Sequence, residues 1–580
     1  MAAFDDGEIR VRKIRNILFV MYDQLRFDYL SCAGHPTLRT PNFDRLAARG
    51  MRFSRAYVQS PVCGASRMSF YTGRYVHSHG AAWNNFPLKV GEVTLGDHLR
   101  KLGVESWLVG KTHMKVDAEG MARLGLAPDS VIGARVSECG FDVWLRDDGL
   151  VAEGPQGFYD EKRSPYNEWL KGQGYAAANP WHENANSGID AAGNIASGWL
   201  MRNAREEANI REEDSETAWL TDRAIEFIDS RGAQAPWMCH LSYIKPHWPY
   251  IVPAPYHALY GPGDVIPPQR HAREKHDPHP VYAAFMANPM GQSFSRDEVR
   301  ETVIPAYMGL IAQCDAHLGR LLDHLEAAGR MDDTMIVLTS DHGDYLGDHW
   351  LGEKDLFHDP SVRIPLIIYD PSPQADATRG TVCDALVESI DLAATFIEVK
   401  GGESPRHVVE GRSLLRFLHG QPPANWRDVV ISEYDYSATM MAQQLGVAPK
   451  DARLFMVFDG RWKLIHAEGG FRPMLFDLEA DPQETDDLGA SPAHAGDCER
   501  LYARLFEWAR RGAQRTTVSD QQILGMRGKS RAKGIYLGIW QAEELTPGQR
   551  ATIEGPAAAD HRSGASAPTT AAARPKQAGG

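Results

Sequence analysis

Asn16-Ile17-Leu18-Phe19-Val20-Met21-Tyr22-Asp23-Gln24 runs as a row of strand-forming residues and stops at a carboxylate and an amide. A run this short and this apolar reads as a buried parallel strand that delivers polar residues at its carboxyl end. The pattern recurs at residues 335–340 before Asp341-His342-Gly343-Asp344, at 105–109 before Gly110-Lys111, and at 237–243 before Pro246-His247. Residues 365–369 make a further apolar run. Helical patterns lie between them, over 94–102, 215–230 and 305–328, the last with Met308, Ile311, Leu318, Leu321 and Leu325 on one face. Strands alternating with helices predict an α/β fold around a large, mostly parallel sheet, with ligands bound beyond the carboxyl ends of the strands.

Working outward, residues 1–13 read as an N-terminal extension and 14–400 as the α/β domain. Within it, about 115–210 is rich in Gly, Asn, Trp and acidic residues and weakly periodic, which reads as an insertion near the site. Residues 401–545 read as a smaller C-terminal α+β domain, with short strands over 428–433, 454–458, 462–466 and 474–477 and a helix over 498–511. Asp459-Gly460 is a hairpin signal between two of those strands. The Ala-, Pro-, Ser- and Thr-rich stretch 555–580 reads as a disordered tail.

The 580 residues are 43% hydrophobic and 24% charged, an ordinary globular mixture. A net charge of −14 argues against a nucleic-acid partner, which calls for clustered Lys and Arg. It leaves room for a small anionic substrate, because a metal ion or a few cations can reverse the field inside one cleft. No membrane span and no secretory signal are expected, since there is no long apolar run and no apolar segment before Asn16. The seven cysteines are scattered and odd in number, so free thiols in a reduced cytoplasm are the expectation.

The most informative of these cysteines is Cys63, in Cys63-Gly64-Ala65-Ser66-Arg67 followed by Thr72-Gly73-Arg74. An isolated Cys after an apolar residue is ordinarily a buried inert thiol. Here Ser66, Arg67, Thr72, Gly73 and Arg74 form a spaced set with it, and the whole resembles the signature of the sulfatase family. The departure is Ala65, where the best-known form of the signature has proline. The resemblance spans roughly residues 14–545 and implies an alkaline phosphatase-like α/β sandwich with a smaller C-terminal domain. It also implies that a formylglycine-generating enzyme converts Cys63 to formylglycine. The hydrated aldehyde would then attack sulfur or phosphorus with one hydroxyl, and the other would expel the ester as the aldehyde re-forms.

Carboxylates at two strand ends, Asp23 and Asp341, make hard oxygen donors. By the resemblance, Asp23, Gln24, Asp341, His342 and the modified Cys63 hold one divalent metal ion, Ca2+ or Mn2+ ahead of Mg2+ or Zn2+. Many members have Asp at position 24 and Asn at 342. Gln24 and His342 resemble the phosphonate monoester hydrolase branch and related arylsulfatases, and the imidazole favours a softer ion such as Mn2+. The resemblance further assigns Lys111, His113, His247 and Lys354 to substrate charge and proton transfer, Arg67 to support of the nucleophile, and Asn84 to anion binding. Lys111 with His113 matches the sulfatase pattern, whereas Asn84 matches the phosphonate hydrolases. His349 and His358 flank Lys354, and Trp83, Tyr75 and Trp248 are candidates for an aromatic leaving-group wall. Glu433 is a candidate for the cleft edge. The expected function is metal-dependent hydrolysis of sulfate esters, promiscuous toward phosphonate monoesters and phosphodiesters. The alternatives are a dedicated phosphonate monoester hydrolase or phosphodiesterase, and a catalytically silent binding protein should Cys63 be unmodified. Multimeric relatives in the phosphonate branch make a homo-oligomer an expectation as well.

Overall fold

Alternate residues of the first strand face two different cores. Ile17, Phe19 and Met21 pack into one hydrophobic cluster, and Leu18, Val20 and Tyr22 into another. The strand is buried along its whole length, as a central parallel strand covered on both faces must be. The computed structural model describes residues 13–149, 164–232, 235–510, 516–527 and 538–554.

The strands are β1 (Asn16–Asp23), β2 (Met51–Tyr57), β3 (Glu105–Gly110), β4 (Asp142–Arg146), β5 (Ser187–Ile189), β6 (Ile195–Ser197) and β7 (Trp237–Pro246). They continue with β8 (Thr334–Ser340), β9 (Arg363–Tyr369), β10 (Thr381–Glu388), β11 (Val430–Asp435), β12 (Arg453–Phe458), β13 (Trp462–Ala467) and β14 (Met474–Asp477). Eight form one sheet in the order β10-β2-β9-β8-β1-β7-β3-β4. Only β9 runs antiparallel to its neighbours. The five adjacent strands β8, β1, β7, β3 and β4 are all parallel, so their carboxyl ends open on the same edge. β2 points the same way, and the helix Cys63–Thr72 starts a few residues beyond it. The mostly parallel α/β sheet expected from the sequence is therefore present.

Several boundaries differ from expectation. The long helix runs Asp297–Ala327 with Pro305 inside it. Pro305 mimics a helix start, because proline is favoured at the first helical position, but burial of Val303, Ile304, Tyr307 and Met308 carries the helix through it. The helices read over 94–102 and 215–230 are Leu95–Arg100, capped by Thr94, and Glu216–Arg231, capped by Ser215. Within 115–210, residues Asp142–Arg146 form β4 at the sheet edge, and β5 and β6 form a small hairpin. The expected N-terminal extension, apart from its last residue, and the expected tail over 555–580 lie outside the described residues.

The chain splits into Met1–Gln514 and Arg515–Gly580, and the expected boundary near residue 400 falls inside the first unit. In the second, Asp520–Met526 and Pro547–Glu554 are helical. In the first, β11-β12-β13-β14 form an antiparallel sheet. Asp459 closes its central hairpin by accepting the backbone N–H of Arg461 at 3.0 Å and Trp462 at 2.7 Å, and Gly460 adopts a φ of +96° there. All seven cysteines are free, and among the described residues no helix is long and apolar enough to cross a membrane.

Lys463 of β13 ties this small sheet to the loop before β9. Its ammonium is buried and donates to Phe357 O at 3.1 Å, Asp359 Oδ1 at 2.8 Å and Glu484 Oε1 at 2.5 Å. Burial disfavours the Asp359 carboxylate, yet Lys463 and Arg363 hold its pKa at about 2. Lys463→Met would leave buried Glu484 without its cation and Asp359 with Arg363 alone. It is expected to lower the unfolding free energy by about 3–5 kcal/mol, read from the denaturant midpoint; an unchanged midpoint would contradict this role.

Candidate active site

Asp23 ends β1, Asp341 follows β8, and both carboxylates are fully buried. Side by side in a dry interior they would repel, so cations must be built in between. Arg67 supplies the first. Its Nε donates to Asp341 Oδ2 at 2.7 Å, Nη2 to Asp23 Oδ2 at 3.3 Å, and Nη1 to Ser242 Oγ at 2.7 Å and Lys111 O at 3.0 Å. One guanidinium thus braces the ends of β1, β8, β7 and β3. Lys111 supplies the second cation through an ion pair with Asp23. Burial opposes ionisation of Asp23, but Lys111 first, with Arg67 and His342, holds its carboxyl well below the usual range.

Arg67 reaches this position because its helix, Cys63–Thr72, is buried at every residue. Val62 offers no side-chain cap, and Asn84 does that work from a distance by accepting the Gly64 N–H at 2.8 Å. Gly73 ends the helix in the left-handed conformation, φ +66°. A Cβ there would fall 2.9 Å from Ala393 Cβ, so both the conformation and the close approach require glycine. Arg74 pairs with Glu92. The second half of the sequence signature therefore shapes the helix end, and its first half faces the site.

At the other end of that helix, Cys63 Sγ lies 3.0 Å from His342 Nε2 and 3.9 Å from Asp23 Oδ1. One donor atom from each of Asp23, Cys63, Asp341 and His342 falls within 4.8 Å of the others. His342 Nδ1 donates to Gly343 O at 2.9 Å, which leaves Nε2 aimed into the cluster. Burial lowers the basicity of His342, but Asp341 and Cys63 outweigh it and raise the pKa to about 9. This point attracts positive charge, and a set of two carboxylates, an imidazole and the position-63 side chain fits one divalent ion.

Gln24 sits beside the cluster with a left-handed backbone, φ +66°. Its Nε2 donates to Asp344 and, at 3.3 Å, to Tyr250 OH, while Oε1 accepts from Lys354 Nζ at 3.3 Å. Asp344 and Tyr250 thus fix which face of the amide points inward. Neither was singled out from sequence, since only the fold brings them to Gln24.

Cys63 also lines a cavity of about 200 Å³ together with Asn84, Lys111, His113, His247 and Lys354. Burial and the nearby Lys111 push His113 well below the ordinary histidine range, and its Nδ1 is buried without a partner among the described residues. Burial dominates at His247 too, with Lys354 and Lys111 adding to it against Asp23, so that imidazole is also held neutral. His247 Nδ1 donates to Trp248 O at 2.8 Å, so its Nε2 accepts from Lys354 Nζ at 3.3 Å. Lys354 is buried, but Cys63, Glu353 and Asp23 raise its pKa and keep it charged. Glu353 and Asp355 on either side have φ of +58° and +101°, backbone strain of the kind that gathers at functional sites.

The structure therefore brings Cys63, Arg67, Asn84, Lys111, His113, His247, Lys354, Asp23, Gln24, Asp341 and His342 together. It does not bring in Trp83, which packs on Tyr434, or Tyr75, which packs on Trp508. Glu433 pairs with His77 away from the cavity. His349 and His358 stack on each other 3.7 Å apart, outside the cavity wall. Trp248, expected as part of an aromatic wall, and Asn85 also line the cavity, and sequence reasoning missed Asp148, Gly149, Trp181 and Ile244, which complete the wall. Asp148 accepts the backbone N–H of Thr112 at 3.0 Å and of His113 at 3.2 Å. The polar run Arg146-Asp147-Asp148 at the end of β4 was the available signal.

A large parallel sheet with a buried acidic cluster and a cation-lined cavity at its carboxyl edge is the architecture of an enzyme that binds an anionic ligand there. The Sulfatase family model matches residues 15–142 and 162–402, and the N-sulphoglucosamine sulphohydrolase C-terminal model matches 347–511. The chain belongs to the sulfatase family. It is 30% identical over 530 residues to the multifunctional alkaline phosphatase superfamily protein PehA of Trinickia caryophylli, covering 87% of this chain and 96% of that one. It is 26% identical to an arylsulfatase of Clostridium perfringens, over 82% of this chain and 90% of the relative. Among solved structures it resembles phosphonate monoester hydrolase SpPMH from Silicibacter pomeroyi, with a TM-score of 0.76 and 30% identity over 87% of this chain and 98% of that one. The phosphonate monoester hydrolase of Agrobacterium radiobacter gives a TM-score of 0.73 and 26% identity over 86% and 96%.

Arg67→Lys keeps the charge but cannot reach Asp23, Asp341, Ser242 and Lys111 O at once. Titration with Mn2+ or Ca2+ is expected to show affinity reduced about 10–100-fold. Undiminished affinity would mean the carboxylates hold their positions without the guanidinium.

Proposed function

We propose that this protein hydrolyses sulfate esters with a formylglycine derived from Cys63 and one divalent ion, Ca2+ or Mn2+ ahead of Mg2+ or Zn2+, and that it also accepts phosphonate monoesters and phosphodiesters. The observation that carries the reading is the placement of the Cys63 side chain. It faces the acidic donor cluster on one side and, on the other, a cavity lined by Lys111, His113, His247 and Lys354. Asp23, Asp341, His342 and the position-63 side chain would hold the ion, with the Gln24 amide beside them. When bound, the ion supplies Lewis-acid polarisation, and the modified residue supplies a geminal diol as nucleophile. A formylglycine-generating enzyme is then a required partner.

The chain's own residues divide the remaining work. Lys111 and Lys354 neutralise the oxygens of a singly charged ester. Lys354 is the protonated group nearest His247, so it is the proton source for the departing oxygen, directly or through His247 Nε2. Neutral His113 is a base able to take the second hydroxyl proton. A monoanionic sulfate ester and a monoanionic phosphonate monoester need the same neutralisation, which supports activity on both. The second reading, a dedicated phosphonate monoester hydrolase or phosphodiesterase, draws support from Gln24, His342 and the likeness to phosphonate monoester hydrolases.

Rates on an aryl sulfate, a phenylphosphonate monoester and an aryl phosphodiester separate the two. The sulfate is expected to be turned over at a rate comparable to or above the others; a negligible sulfate rate beside the others selects the second reading. Cys63→Ala is expected to cut all three by about 10³-fold or more. Because His113 and His247 are held below the ordinary value of about 6.5, both stay neutral as pH falls to that point. With the divalent ion saturating, so that protonation of His342 does not limit the rate, the kcat/KM on an activated ester should therefore show no acid limb at pH 6.5 or above, and a limb that persists there would contradict the assigned protonation states.

A further inference from the structure

Resting on the ester-hydrolase reading above, we propose that Trp181 and Trp248, backed by Trp199 from behind the cavity wall, form a leaving-group subsite that takes a single planar aromatic ring. The cavity wall holds two kinds of lining: Cys63, Lys111, His113 and Lys354 are charged or polar, and Gly149, Trp181, Ile244 and Trp248 are apolar. A Cβ at Gly149 would meet Ile244 Cδ1 at 3.5 Å and the Trp181 ring at 3.7 Å, so those three cluster. An ester whose acid group meets Lys111 and Lys354 has this apolar lining to receive its leaving group.

The aromatic wall begins at the proton-transfer group. The Trp248 ring lies 4.3 Å from the His247 ring, centroid to centroid. Trp199 lies 5.2 Å from Trp248 and 6.3 Å from Trp181, bridging the two. Yet Trp199 is 43% exposed, so its hydrophobic face is not absorbed by the core. Trp181 and the Trp199 backbone are held in place. Trp181 Nε1 donates to buried Glu216 Oε1 at 3.0 Å. The turn before Trp199 is pinned by Gly198 N–H donating to Asn186 O at 3.1 Å, where a Cβ on Gly198 would fall 2.4 Å from that oxygen. Trp248 Nε1 is buried with no acceptor among the described residues.

Charge and size narrow the occupant. Asp148 is the one carboxylate among the described residues of the cavity wall. It is already engaged by Arg146 Nη2 at 2.6 Å and by two backbone N–H groups. A cationic leaving group, although suited to aromatic faces in general, would meet Lys354 and Lys111 without a counter-charge. A cavity of about 200 Å³ is below the range of drug-sized sites and suits a tetrahedral anion with one ring, not a polymer chain. Offset or edge-to-face contact with an aryl ring fits these tryptophans.

The test compares kcat/KM on an aryl and a primary alkyl ester of the same acid, sulfate or phosphonate, for wild type, Trp199→Ala and Trp199→Phe. The aryl-to-alkyl selectivity is expected to fall about tenfold in Trp199→Ala, mainly through KM, and to return in Trp199→Phe. Equal loss on both esters, or no loss, would overturn the subsite. So would a wild-type preference for a trimethylammonium-alkyl or sugar ester over the aryl one. Binding of free 4-nitrophenol, followed by saturation-transfer NMR, reads the subsite without turnover. Weaker binding in Trp199→Ala supports the proposal, and absent or unaltered binding refutes it. A protein that binds the phenol but turns over no ester would sink the hydrolase reading alone.

Discussion

The Arg67 guanidinium between Asp23 and Asp341 is the interaction on which the rest of the site depends. It makes four contacts, two to carboxylates and two to neighbouring strand ends. A parallel sheet gathers strand ends cheaply, because five adjacent strands finish on the same edge. Gathering carboxylates there is costly, since each buried charge loses its hydration. A fully buried arginine that is always charged offsets this for both acids at once. It also comes from the helix that carries Cys63, so the same element positions the thiol and the cation that keeps its surroundings together.

The charges around Cys63 fall into two zones. On one side, Asp23, Asp341 and His342 create a point that attracts positive charge, visible in the raised basicity of His342. On the other, Lys111 and Lys354 stay protonated while His113 and His247 stay neutral. A divalent ion suits the first zone and an anionic ester the second. Burial drives both effects, raising the cost of any charge without a partner and lowering the basicity of imidazoles that stand beside lysines.

Much of this was legible in the sequence. β1 and β8 announce themselves because central parallel strands are apolar on both faces, and their abrupt polar ends mark Asp23, Gln24, Asp341 and His342. Cys63, Arg67 and Gly73 stand at fixed spacing because one helix carries them, and short-range spacing survives in sequence. The antiparallel direction of β9 was not legible, since an apolar run has no arrow. Pro305 concealed eight residues of helix by imitating its first turn. Asp148 and Trp181 went unread because they lie in a stretch of short elements where periodicity is too brief to register. Asp344 and Tyr250 act on Gln24 from 320 and 226 residues away, a relation that only the folded chain contains. Trp83 and Tyr75 were drawn in by proximity to the motif in sequence, and packing takes them elsewhere.

The account turns on what occupies position 63. Peptide mass spectrometry across Cys63, on protein made in its natural host and treated with an aldehyde-reactive label, tests it most directly. The account predicts a residue in which –CH2–SH has become –CHO, captured by the label. Unmodified cysteine throughout would contradict it: Ala65 would then have broken the modification signal, and the site would have to be explained by thiol chemistry or by binding alone.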